Sequence, residues 1–170
     1  MKKSICNLII LSFFLGLICS CQKEKEKNLE TNFAGSIVDK VFYITYLNSE
    51  SINVLQTNSQ IQVFYLKNGT AEKVERAYLD CPNGFTLTNQ NNTLGNGSNE
   101  LCVKVFPSDY EDNSNKSTTY IKFDNNTMDT FECQFQISSG SHLLMKIWLN
   151  GSLVWDRQTT KTRPLIQIIK

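Results

Sequence analysis

The stretch that decides the fold is "LLMKIWLNGSLVW", residues 143–155, in which two apolar runs flank an Asn-Gly pair. Asn150 and Gly151 favour the positive φ angles that a type I′ turn requires at both central positions. A two-residue turn at this point places Trp148 opposite Leu153 on two antiparallel strands. The stretch therefore predicts a β-hairpin.

Short strand-like runs surround this hairpin, and none of them has the period of a helix. The clearest is "FECQFQI", in which Phe131, Cys133, Phe135 and Ile137 alternate with polar residues, as in a half-buried antiparallel strand. Further strands are predicted at 41–47, 61–66, 73–79, 85–87, 101–105, 119–123 and 164–169, and for 73–79 a helical turn is the alternative. A polar loop or a wide hairpin connection is predicted at 88–100, and another polar loop at 107–117. Eight or nine short strands predict an all-β chain with a single antiparallel β-sandwich of immunoglobulin-like or fibronectin-like type.

Two tryptophans lie on the predicted hairpin. In a regular register Trp148 and Trp155 share one face as diagonal neighbours, close enough for their rings to interact. If that face is exposed, the pair forms a binding surface for a sugar ring or a partner's side chain. If it faces inward, both rings belong to the core, which Leu144 and Leu153 on the same face favour.

The chain begins with Met1-Lys2-Lys3 and a 14-residue apolar run, residues 5–18. A helix that spans a bilayer needs about 20 apolar residues. A short basic start followed by a shorter apolar run is instead typical of a secretory signal peptide. We therefore expect residues 1–20 to be a signal peptide.

The end of this segment, Ile18-Cys19-Ser20-Cys21, resembles a bacterial lipobox. The resemblance implies that Cys21 becomes the first mature residue and that its thiol carries a diacylglycerol. Two or more acyl chains hold a protein stably at a membrane. The expected organisation is then a lipidated cysteine with a charged flexible linker, residues 21–34, followed by the β-sandwich domain, residues 35–170.

The charged residues that follow, Gln22 to Glu26, look like the export signal of Bacteroidetes surface lipoproteins. That resemblance implies a protein lipid-anchored to the outer membrane and exported to the cell surface. It implies no activity. The alternative interpretation of the same residues is a solvated spacer that keeps the domain clear of the headgroups.

Three cysteines remain after the lipidated one, and an oxidising compartment allows at most one disulfide among them. Cys133 lies between two phenylalanines on an apolar face and is expected to be a buried, inert thiol. A bridge between Cys81 and Cys102 is the predicted pairing. Three reduced thiols are the alternative.

Residues that could carry catalysis are few. His142 is the only histidine, no G-x-S-x-G motif or Gly-rich phosphate loop occurs, and we predict His142 to be a turn residue. Asp109, Glu111 and Asp112 lack the fixed spacing of a calcium loop and are expected to form a solvated acidic loop. We expect no catalytic residues, no metal and no cofactor.

Charge argues against a polyanionic partner. When Lys2 and Lys3 leave with the signal, the 17 basic side chains become 15, against 16 acidic ones, so no strong field attracts nucleic acid. The prediction is a non-enzymatic binding or interaction module, held to the membrane by its lipid, with an unknown protein or glycan as partner. The alternatives are a component of an envelope complex, for glycan uptake or immunity-type inhibition, and a hydrolase that uses His142 or the acidic loop.

Overall fold

Strands dominate the computed structural model, which describes residues 37–76, 80–124 and 128–170. The strands are β1 (Ile37–Asp39), β2 (Phe42–Leu47), β3 (Ile61–Lys67), β4 (Thr70–Lys73), β5 (Phe85–Asn89), β6 (Leu101–Val105), β7 (Lys116–Phe123), β8 (Met128–Ser138), β9 (Ser141–Leu149), β10 (Ser152–Asp156) and β11 (Leu165–Ile169). One short helix, α1 (Gln90–Leu94), follows β5. No helix within the described ranges is long and apolar enough to cross a membrane. The predicted signal peptide, Cys21 and the linker lie outside the described residues.

The strands form two sheets. Sheet A has seven strands in the order β1-β9-β8-β7-β3-β4, and its seventh strand, β10, pairs with β9 on the edge that β1 also uses. Sheet B has four strands in the order β11-β2-β6-β5. All described residues belong to one compact unit. The prediction of an all-β fold is therefore confirmed.

Side chains from both sheets meet in one apolar core. Phe42 of sheet B packs on Phe131 of sheet A with ring centroids 5.0 Å apart, and Tyr46 stacks on Phe123 at 4.3 Å. The buried members of the core are Phe42, Ile44, Tyr46, Leu55, Ile61, Val63, Tyr65, Val74, Val103, Val105, Ile121, Phe123, Phe131, Cys133, Phe135, Leu144, Ile147, Trp155, Ile166 and Ile168. Both sheets thus contribute side chains to a single core.

The expectation of purely antiparallel sheets is wrong. β1 runs parallel to β9, and β11 runs parallel to β2 over five residue pairs. Both are edge strands at opposite ends of the described chain, and each joins a partner far away in sequence. A parallel pair needs a long connection rather than a tight turn, so no local turn signal could reveal either pairing.

The predicted strand at 73–79 is also wrong for its described part. β4 ends at Lys73, Val74 turns into the core, and the backbone N–H of Arg76 donates to the carbonyl of Pro82 at 2.8 Å. This hydrogen bond joins two residues of one loop. In a continued strand, the N–H of Arg76 or of its neighbour would instead pair with an adjacent strand. Residues 77–79 lie outside the described ranges. Three elements were not predicted: β1, β4 apart from its last residue, and α1 within residues 88–100.

The Asn-Gly hairpin is confirmed, but one bulge changes its faces. Asn150 and Gly151 have φ angles of 50° and 83°, and Leu153 pairs with Trp148 as predicted. Trp155 then pairs with Ile147, a position that a regular register gives to Val154. The extra residue rotates the strand, so the prediction that both tryptophans share a face is wrong.

Candidate functional site

A cavity of about 430 Å³ opens where three connections meet, those that follow β1, β4 and β6. This volume lies within the range of small-molecule sites. Most of its lining is apolar, contributed by Val38, Val41, Tyr65, Val74, Cys81, Gly84, Phe106 and Pro107. Four charged or ionisable side chains, Lys40, Arg76, Asp109 and His142, complete it. The cavity thus combines an apolar wall with a charged rim.

The apolar wall is fixed by hydrogen bonds. The hydroxyl of Tyr65 donates to the carbonyl oxygen of Phe106 at 2.7 Å, and the N–H of Phe106 donates to the carbonyl of Gly84 at 3.0 Å. Gly84 has a φ of +76°, and an added Cβ would lie 3.1 Å from the Tyr65 hydroxyl oxygen. Only glycine fits this position without strain. Burial raises the pKa of Tyr65 to about 12, although the nearby Arg76 opposes the shift.

One carboxylate pairs with two cations at the rim. Nζ of Lys40 lies 2.6 Å from Oδ1 of Asp109, and Nη1 of Arg76 lies 3.7 Å from Oδ2 of the same side chain. The Arg76 guanidinium also lies over the Tyr65 ring, 5.2 Å from its centroid. Lys40 and Arg76 were not among the residues that the sequence singled out.

His142 forms a second polar contact at the rim. Its Nε2 lies 2.8 Å from Oε1 of Glu111, and its ring meets the Phe135 ring edge-on at 5.0 Å. The prediction of a turn residue is wrong, because β9 begins at Ser141 and includes His142. Val38 and Ile137 are its cross-strand neighbours.

In the acidic loop Asp109 and Asp112 are exposed, as a solvated loop predicts, whereas the Glu111 side chain is only 13% exposed; each carboxylate also has a partner within the protein. Asp109 pairs with Lys40 and Arg76, and Glu111 contacts His142 and lies 3.7 Å from Nζ of Lys40. Asp112 accepts hydrogen bonds from the backbone N–H groups of Lys116 and Ser114, which lower its pKa.

None of these carboxylates joins a metal-binding group. Within residues 37–76, 80–124 and 128–170 no three or more His, Cys, Asp or Glu side chains are arranged to hold a metal ion.

The predicted bridge between Cys81 and Cys102 is not formed. All three described cysteines are free thiols. Cys102 is buried in β6, where burial raises the pKa of its thiol, whereas Cys81 lines the cavity. Cys133 is buried between Phe131 and Phe135 as predicted, and burial raises the pKa of its thiol.

The two tryptophans predicted as a binding surface are not brought together. Trp155 is only 7% exposed, and its Nε1–H donates to the carbonyl of Thr162 at 3.2 Å. Trp148 is half-buried on the opposite face of sheet A, where Nζ of Lys116 lies 4.5 Å from its ring centroid. Of the two residues of the predicted binding surface, only Trp148 is therefore partly exposed.

The predicted lipidation site, Cys21, lies outside the described residues.

Comparison of the chain with protein families, with curated proteins and with solved structures returns no match. The function must therefore be argued from the site.

Proposed function

We propose that this chain is a lipid-anchored envelope protein whose β-sandwich domain binds a small amphipathic molecule without transforming it. The observation that carries the proposal is the cavity, because its apolar wall and charged rim suit the two ends of such a ligand. Each methylene group of the ligand that is buried against the wall contributes about 0.8 kcal/mol to binding. The charged groups of the rim fix the ligand's orientation.

The shared core supports the sandwich architecture. Ring pairs such as Phe42 with Phe131 join the inner faces of the two sheets, as packed sheets require. The immunoglobulin-like or fibronectin-like type stays a prediction.

Dye binding tests the cavity. N-phenylnaphthylamine is a neutral apolar dye that fluoresces on leaving water. We expect the chain from Gln22 onward, which contains the whole compact unit but neither the predicted signal peptide nor the lipidated cysteine, to enhance its emission. Val38→Trp, which adds bulk at the cavity lining, should weaken dye binding about tenfold, or 1.4 kcal/mol.

Ile37→Trp is the matched control, because Ile37 is the preceding residue of β1, is similarly exposed and does not line the cavity. It should leave dye binding unchanged. An equal loss in both variants, or no enhancement with the parent chain, would contradict the proposal.

The anchor has its own expected result. Because only the Cys21 thiol can form the thioether to diacylglycerol, Cys21→Ser should abolish acyl labelling and leave an uncleaved precursor, whereas Cys19→Ser should change neither. The measurement is metabolic labelling with a fatty acid, followed by electrophoresis. Labelling that persists in Cys21→Ser would refute the lipobox assignment, and with it the lipid anchor that we propose.

A hydrolase is the second candidate function, favoured by one observation. His142 has a carboxylate partner, Glu111, and lines the same cavity as the thiol of Cys81. A residue that can act as a base and one that can act as a nucleophile therefore lie at one site. Among the described hydrogen bonds none joins His142 to Cys81. Turnover of a chromogenic ester that disappears in both His142→Ala and Cys81→Ala would favour this function, and absence of turnover would remove it.

A further inference from the structure

Lys40 and Arg76 at the rim differ in solvent exposure from Asp109, the carboxylate that both of them contact. Side-chain exposure is 15% for Lys40 and 26% for Arg76, but 62% for Asp109. Lys40 lies against the Phe135 ring, with Nζ 5.4 Å from its centroid, and Arg76 lies against the Tyr65 ring. Each cation is therefore packed against an aromatic ring, of which Tyr65 belongs to the wall of the cavity and Phe135 does not, whereas the carboxylate that joins them is largely in solvent.

We propose that Asp109 occupies the place of a ligand's carboxylate, and that the ligand of this cavity is an amphipathic carboxylate with an aliphatic body. The inference rests on the proposed function of the cavity and names its ligand class. The aliphatic body would lie along Val41, Val74 and Phe106, and the head would contact Lys40 and Arg76.

The choice of a carboxylate follows from the contacts that Asp109 already makes. One carboxylate bridges an ammonium and a guanidinium, an arrangement in which each oxygen faces its own cation. A cationic head would face two like charges at the same point. The other acidic side chain near Lys40, Glu111, lies closer to His142, at 2.8 Å against 3.7 Å, and is only 13% exposed.

Exchange of the two carboxylates requires only that the Asp109 side chain turn toward solvent. Its backbone position is held by its neighbours, because the N–H of Ser108 donates to Oγ1 of Thr119 and the N–H of Tyr110 donates to Oγ of Ser108. Asp109 is 62% exposed, so water can solvate its carboxylate when it leaves, and the ligand's carboxylate then takes its place beside the two less exposed cations. Because the Asp109 carboxylate is part of the chain, it competes with the ligand's carboxylate for Lys40 and Arg76 at a high effective concentration. Removal of its charge should therefore strengthen ligand binding, opposite to the usual effect of a site mutation.

The test compares decanoate with decanol, which have the same aliphatic chain and differ in the head group. Each displaces N-phenylnaphthylamine from the chain that begins at Gln22, so that neither an acyl chain nor the apolar signal segment competes. We expect Asp109→Asn to bind decanoate about tenfold more tightly and decanol with unchanged affinity. The gain should shrink as salt is added, because the rim is partly exposed.

Asp112→Asn is the matched control, since it removes the same charge from the same loop at a residue that does not line the cavity. It should not change decanoate binding, and adding Arg76→Gln to Asp109→Asn should reverse the gain. Decanoate binding that is unchanged or weaker in Asp109→Asn, while dye and decanol bind normally, would overturn this inference and leave the proposed function standing. An equal gain for decanol would overturn it too. Failure of the parent chain to bind the dye and both amphiphiles would overturn both proposals.

Discussion

Trp155→Ala is expected to lower the free energy of unfolding by about 3–5 kcal/mol, whereas Trp148→Ala should lower it by about 1 kcal/mol. Trp155 is 7% exposed, belongs to the core and donates its indole N–H to Thr162. Trp148 is half-buried on the outer face, and its removal loses mainly the contact with Lys116. Denaturant unfolding of the three proteins measures both differences.

The control for this comparison is optical. In Trp148→Phe only Trp155 emits, and its fluorescence should resist acrylamide quenching; in Trp155→Phe the remaining Trp148 should be quenched readily. Equal losses of stability in the two alanine variants, together with equal quenching, would mean that the hairpin keeps a regular register and that the bulge is absent.

Alkaline pH is expected to unfold the domain, because buried phenols must ionise. Burial raises the pKa values of Tyr43, Tyr46 and Tyr65, the last to about 12. The folded state therefore holds these protons more tightly than the unfolded chain, whose tyrosines have a pKa of about 10. This contribution to stability is complete below pH 10 and is lost as pH rises through the folded-state pKa values. For Tyr65 the loss is roughly 3 kcal/mol at most.

Tyr65→Phe separates this effect from a general alkaline loss. The variant should be about 1 kcal/mol less stable at neutral pH, because the hydrogen bond to Phe106 is gone. Its stability should then fall less steeply than that of the parent between pH 10 and 12. Tyr110→Phe, at an exposed ring, is the matched control. Parallel stability profiles for Tyr65→Phe and the parent, measured by denaturant unfolding at each pH, would contradict the assignment.

Features encoded by neighbouring residues could be predicted from the sequence. The turn at Asn150 and Gly151 depends only on backbone preferences at two positions, and the alternation in β8 depends only on its own side chains. The bulge after Leu153 depends on a distant contact, since Trp155 gains burial and the Thr162 carbonyl only in the folded chain. The parallel strands β1 and β11 could not be predicted for the same reason, because each pairs with a strand that is distant in sequence.

The charged rim of the cavity could not be predicted for a related reason. Three connections bring Lys40, Arg76 and Asp109 together, and each residue alone resembles an ordinary surface charge. One signal was present: Val74 and Arg76, two residues apart in the predicted strand 73–79, would share a face there. Charged side chains are almost never fully buried unless they are paired, so a cation on the same face as a core residue indicates a partner.

The division of the β9 edge between two short strands has a consequence for self-association. β1 covers it at Ser141–Leu143, and β10 covers it at Lys146–Leu149 with a bulge between Leu153 and Trp155. The opposite edge of sheet A is the four-residue β4, which carries Glu72 and Lys73. Long flat edges template growth into fibrils, and short, bulged or charged ones resist it. Even where many copies of the protein are concentrated, the edges of sheet A are therefore poor templates for pairing with strands of neighbouring copies.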